Sequence, residues 1–113
     1  MNSILYLLDR APYGSENAFG LLNAAAVSIK MDTTVGLYAD GVYLALAGQD
    51  TKALGVPNLS DIIYAYPELR ILAHEPSIME RGLLSQSLIE RVELVDEDKF
   101  LEEVLMSDMV LFL

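Results

Sequence analysis

The chain opens with a unit that narrows its possible folds. Ile4-Leu5-Tyr6-Leu7-Leu8 is a short apolar run, and Asp9 to Ser15 follows as a loop punctuated by Pro12 and Gly14. An Ala-rich stretch then runs from Glu16 to Met31. A short apolar run bounded by turn residues predicts a strand buried on both faces, the environment of a parallel sheet. Ser15 suits the N-cap of the helix that follows, with Glu16 near the positive end of its dipole. The chain predicted here is strand, loop, helix, and the rest repeats that plan.

Thr33 to Ala39 reads as a second strand, Asp40-Gly41 as a turn, and Val42 to Ala47 as a helical turn or two. Asp50 to Pro57 reads as a loop, and Ser60 begins a short helix closed by Pro67. Arg70 to His74 is a third strand, Glu75-Pro76-Ser77 a loop leading into another short helix, and Arg91 to Val95 a fourth strand. Asp96 is placed to cap a last helix whose Phe100, Leu101, Val104 and Leu105 fall on one apolar face. Met109 to Leu113 reads as a final strand belonging to the core. About five short strands alternating mostly with helices predict a three-layer α/β/α fold with a mostly parallel sheet. A length of 113 residues suits one domain over residues 1–113.

The first helix is more apolar than a sheet-covering helix needs to be. Glu16, Asn23 and Lys30, seven residues apart, form a narrow polar stripe, and most other positions are apolar or small. One sheet face requires an apolar arc of only about 100° or slightly more. The excess marks Phe19, Leu22 and Ala26 as candidate subunit-interface residues. An apolar fraction of 53% points the same way, towards an oligomer.

Composition excludes several functions. A net charge of −10, with 7 basic residues that are scattered along the chain, argues against a nucleic-acid surface. No apolar run approaches the roughly 18 residues of a membrane span, and no signal-peptide pattern precedes the first strand, so a cytoplasmic location is expected. The absence of cysteine removes disulfides, zinc–thiolate sites, thiolate nucleophiles and any persulfide on this chain. His74 is the one histidine, so no metal site and no cofactor are expected.

Ligands of open α/β sheets bind at the carboxyl ends of the strands. Tyr13, Gly14, Ser15, Asp40, His74 and Ser77 lie at those ends and are the ligand-binding candidates. The Gly14-Ser15 turn could hold an anion on free N–H groups, but lacks the full phosphate-loop patterns. Asp40 equally suits an N-cap. His74 with Ser77 suggests a base and a nucleophile without an identifiable third member. Glu102 and Glu103 point to different sides of a helix and do not form a catalytic pair.

Pro12-Tyr13-Gly14-Ser15-Glu16-Asn17-Ala18, the Ala-rich helix after it, Ala39-Asp40-Gly41-Val42-Tyr43, and Gly48-Gln49 resemble the DsrE/DsrF/DsrH (TusD/TusC/TusB) sulfur-relay family, closest to its DsrF/TusC branch. Ser77 to Leu83 (Ser-Ile-Met-Glu-Arg-Gly-Leu) fits the pattern of that branch after the third strand. The resemblance implies a small oligomeric domain that works with DsrE/TusD-like and DsrH/TusB-like subunits. That assembly passes persulfide sulfur between carriers, for tRNA thiolation or sulfur oxidation. The active cysteine of the DsrE/TusD-type subunit would correspond to Ser77, so no catalytic residue is expected here. The implied role is a non-catalytic TusC/DsrF-like subunit. A homo-oligomeric small-ligand or anion-binding domain that kept the fold without sulfur transfer is the alternative.

Overall fold

The computed structural model describes residues 3–9, 23–46 and 59–112. Five strands form one sheet: β1 (Ser3–Leu8), β2 (Asp32–Leu37), β3 (Arg70–His74), β4 (Val92–Val95) and β5 (Met109–Phe112). Their order is β4-β3-β2-β1-β5, and every pairing is parallel. The predicted α/β class with a parallel sheet is therefore observed. Residues 23–28 are helical and are termed α1. A 3-10 segment spans Ala39–Ala45, followed by α2 (Leu59–Ala65), α3 (Glu75–Glu80) and α4 (Glu97–Met106).

The two sheet faces follow from strand alternation, because successive side chains point to opposite sides. Ile4, Tyr6 and Leu8 of β1 join Val35, Leu37, Ile71 and Ala73 on one face, where Ala24, Ala25, Val42, Ile62, Ile63 and Ile78 cover them. Leu5, Leu7 and Leu72 point to the other face, where Phe100 and Val104 of α4 pack with Val95, Tyr38 and Val110. Among the described helical residues, α4 alone contributes to this second cluster.

Two glycines let these layers close. A Cβ on Gly41 would lie 2.0 Å from the Leu8 carbonyl oxygen, so only glycine lets the 3-10 segment rest on the end of β1. Gly82 has φ +66°, and α3 ends there in a Schellman motif, with Leu83 N–H donating to Ile78 O and Gly82 N–H to Met79 O.

The structure corrects several local expectations. Glu75, Pro76 and Ser77 form the first turn of α3 rather than a loop, because proline is tolerated in a first helical turn whose N–H groups have no intrahelical acceptor. Of the four apolar residues assigned to one face of α4, Phe100 is buried and Val104 half-buried, whereas Leu101 and Leu105 are exposed. The sheet takes a narrower arc than those four residues span. β5 is an edge strand, with Met109, Leu111 and Phe112 exposed and Val110 half-buried, so the terminal strand is not enclosed in the core. An apolar run carries no information about how many neighbours a strand will have. In α1, Ala24, Ala25 and Ser28 are buried and the interface candidate Ala26 is exposed. Phe19 and Leu22, with the loop containing Tyr13, Gly14 and Ser15, lie outside the described residues.

Candidate functional site

The carboxyl ends of β2 and β3 bring three of the expected residues together. β3 ends at His74, which serves as the N-cap of α3, and one helical turn later Ser77 points back towards it. Ser77 Oγ lies 2.7 Å from His74 Nδ1. His74 Nε2 lies 2.6 Å from Glu97 Oε2, a carboxylate in the first turn of α4. The Ser77 oxygen also accepts a hydrogen bond from the Ala39 N–H at 2.8 Å.

Donor and acceptor roles follow from this arrangement. With Glu97 ionised, Nε2 carries the ring proton and donates it to the carboxylate. Nδ1 then accepts from the Ser77 hydroxyl, whose oxygen accepts from Ala39. The ring of His74 also meets Phe100 edge-on, at 4.9 Å between centroids. The chain Ala39–Ser77–His74–Glu97 thus ties the 3-10 segment, α3, β3 and α4 to one another.

Asp40 belongs to a second link at the same end of the sheet. Its Oδ1 accepts from Arg81 Nε at 3.0 Å, and Arg81 Nη1 donates to the Ser77 carbonyl at 3.2 Å. The N-cap of the 3-10 segment is Tyr38, and no side chain caps it, so Asp40 is an ion-pair partner rather than a cap. Ala39 has φ 49°, a left-handed conformation unusual for a residue with a Cβ. That conformation accompanies the hydrogen bond of its N–H to Ser77. Burial, then the nearby charge of Asp9, raises the Tyr38 phenol above its ordinary pKa.

Serine, imidazole and carboxylate in series have the connectivity of a hydrolytic triad. The sequence reading identified no third member, and Glu97 occupies that place. Two features favour an anchoring role over nucleophilic attack. Ser77 is 5% exposed. Its oxygen is also engaged by a backbone N–H, which draws electron density from the lone pair that would attack. Glu97 was missed because it lies 23 residues from His74 on another element, and only the β4–α4 connection brings it back. Its signal in the sequence was an acid in the first turn after a well-formed cap, and Asp96 does accept from the Lys99 N–H at 2.8 Å.

A separate cavity of about 360 Å³ lies at the opposite, amino end of the strands, near Ser3, Asp32, Thr34, Glu68 and Arg70. Burial alone would lower the Arg70 guanidinium, but hydrogen bonds and charge from Glu93 and Glu103 raise it above its usual value. Glu103 is largely covered and Glu102 about half exposed, and both carboxylates lie 3.7 Å from Lys99 Nζ. Among the described residues, no group of three His, Cys, Asp or Glu side chains could hold a metal ion. No described helix is long and apolar enough to cross a membrane.

An all-parallel sheet clad by helices, with a polar cluster at its carboxyl edge, defines an α/β/α protein whose candidate site lies at its strand ends. Comparison narrows the class: the chain belongs to the DsrE/DsrF-like family, whose model matches residues 2–113. It is 33% identical over 108 residues to the intracellular sulfur oxidation protein DsrF of Allochromatium vinosum, covering 91% of this chain and 77% of that protein. It is 32% identical over 104 residues to a TusC homolog of Vibrio vulnificus, covering 85% of this chain and 86% of that protein. Among solved structures, the ychN protein of E. coli superposes over 100% of both chains with a TM-score of 0.81 and 27% identity. A Methanobacterium thermoautotrophicum protein of unknown function, MTH1491, shares the fold, with a TM-score of 0.72, 13% identity, and 96% of this chain and 97% of that chain covered.

Proposed function

We propose that this chain is a non-catalytic subunit of an intracellular sulfur-relay assembly, and that a cysteine-bearing partner carries the persulfide. The observation that carries this reading is the residue in the first turn of α3, just past the end of β3. Persulfide transfer requires a sulfur atom that can be attacked and that can leave, and the chain contains no cysteine. Ser77, in the first turn of α3 just past β3, stands where, by the resemblance, a carrier would hold its thiol. Its hydroxyl is committed to Ala39 and His74. Membership in a family whose relatives include a DsrF and a TusC homolog supplies the pathway class. The role left to the chain is to hold the shape of a partner's cleft and to contribute surface.

The anion-binding alternative finds less support among the described residues. Asp40 and Glu97 place two carboxylates at the carboxyl edge, and Arg81, the cation beside them, is already paired with Asp40. Among the described residues, an incoming anion would meet net negative charge there. Native mass spectrometry of the chain mixed with DsrE-type and DsrH-type subunits from the same genome tests the reading. A mixed complex containing all three supports it. A chain that stays alone in the presence of both overturns it.

A further inference from the structure

The cavity at the amino ends of the strands has a floor set by strand register. Thr34 of β2 lies beside Leu5 of β1 on one side and Arg70 of β3 on the other. Leu5 belongs to the sheet face under α4, so Thr34 and Arg70, and by alternation Asp32, turn to that face. The carboxyl end of α4 lines the same space through Glu103 and Met106. The volume of about 360 Å³ is within the range of small-molecule sites.

Thr34 is the residue that points to a ligand. It is 9% exposed, and its hydroxyl has no hydrogen-bond partner among the described residues. The neighbouring Thr33, by contrast, donates to the Met31 carbonyl. Among the described residues, no side-chain nitrogen or oxygen sealed from solvent lacks a partner, so the Thr34 hydroxyl opens onto the cavity it lines. Valine would fill the same volume without a hydroxyl, and a nearly buried hydroxyl with no partner is unfavourable.

The charge of the site selects a cation. Arg70 is shared between Glu93 and Glu103, whereas Asp32 and Glu68 make no ion pair among the described residues. An adjoining cavity shares Asp32 and Glu68 and adds Lys30. Asp32, Glu68 and Glu103 still outnumber Lys30 and Arg70. The last turn of α4 carries no basic residue to offset the negative end of its dipole. No group of three acids or histidines among the described residues could hold a metal ion, which leaves an organic cation.

We propose that this cavity binds an aliphatic polyamine. Thr34 Oγ1 accepts a hydrogen bond from one ammonium, Asp32 and Glu68 balance the positive charge, and Ile4 and Met106 line the path of the methylenes. The site lies at the other end of the sheet from Ser77 and does not depend on the relay reading.

Isothermal titration calorimetry of the chain with spermidine is the test, with inorganic phosphate as the anion control. The parent is expected to bind spermidine and not phosphate. Thr34→Val and Asp32→Asn should each weaken spermidine binding by about tenfold or more, a difference that titration resolves. Thr34→Ser, which keeps the hydroxyl, should bind like the parent. Asp98→Asn removes the same charge at the other end of α4 and should also bind like the parent. Thr34→Val should melt at or above the parent temperature, because the hydroxyl it removes has no partner to lose. Absence of spermidine binding by the parent overturns the proposal. Parent-like affinity in either Thr34→Val or Asp32→Asn also overturns it, as does an equal loss in Asp98→Asn, which would reveal diffuse attraction to an acidic chain.

Discussion

Replacing Ser77 by alanine separates an anchoring hydroxyl from a nucleophilic one. The substitution removes one oxygen from a nearly closed site. The Ala39 N–H loses its acceptor at 2.8 Å, and His74 Nδ1 loses its partner at 2.7 Å. Stranding a buried donor costs about 1–3 kcal/mol, and the exposed side of the imidazole recovers part of its own loss through water. The expected destabilisation is about 2 kcal/mol. A domain of this size gains only about 5–15 kcal/mol on folding, so the loss is readily measured. Urea unfolding followed by circular dichroism should show the midpoint falling with an unchanged slope. The melting temperature should drop by roughly 6–12 °C. Ser77→Cys, which retains a weak donor and acceptor at the same place, should lose less than half as much. A nucleophilic serine held under strain behaves differently, since its removal leaves stability unchanged or raises it. A Ser77→Ala variant within about 0.5 kcal/mol of the parent, below the cost of a stranded donor, would refute the anchoring argument.

Three other substitutions probe separate parts of the account. Gly41→Ala drives a Cβ to 2.0 Å from the Leu8 carbonyl oxygen, so the 3-10 segment must lift off β1. The expected loss is about 3 kcal/mol in the same urea experiment, and a loss under about 1 kcal/mol would show that the segment yields without strain. The Arg91 guanidinium donates to the carbonyls of Ile63, Pro67 and Leu69, fastening the end of α2 to the start of β4. Arg91→Ala should cost about 2 kcal/mol, and Arg91→Lys should recover little of it because an ammonium lacks the planar fork. Tyr38 has a raised pKa, so the folded state holds its phenolic proton more tightly than the unfolded chain does. Stability from this group is complete below about pH 10 and is lost as pH rises through the higher folded value. Melting curves from pH 8 to 11 should fall more steeply for the parent than for Tyr38→Phe, and parallel curves would contradict the assignment.

Different parts of the molecule were legible to different degrees, and the reasons are physical. β3 stands where its sequence run placed it, Arg70 to His74, because a short apolar run between breakers has few other solutions in a parallel sheet. Asp96 caps α4 as expected, because capping is a local event within four residues. The edge position of β5 was not legible, since Val110, Leu111 and Phe112 read alike whether the strand has one neighbour or two. His74 and Ser77 could be paired because they stand three residues apart at one strand end, although Ser77 read as part of a loop and not of the first turn of α3. Glu97 could not, because its approach to His74 depends on where the connection from β4 delivers α4. Asp40 and Arg81 likewise meet across 41 residues, through two strand ends and a helix.

Sulfur loading addresses the central claim most directly. The chain is incubated with a cysteine desulfurase and radiolabelled cysteine, first alone and then with the cysteine-bearing DsrE-type subunit. Non-reducing gels and intact mass spectrometry then locate the labelled sulfur. The account predicts no covalent label on the chain in either case, and label on the partner's cysteine when both are present. Persulfide or thiol-releasable sulfur recovered on this chain alone would contradict it.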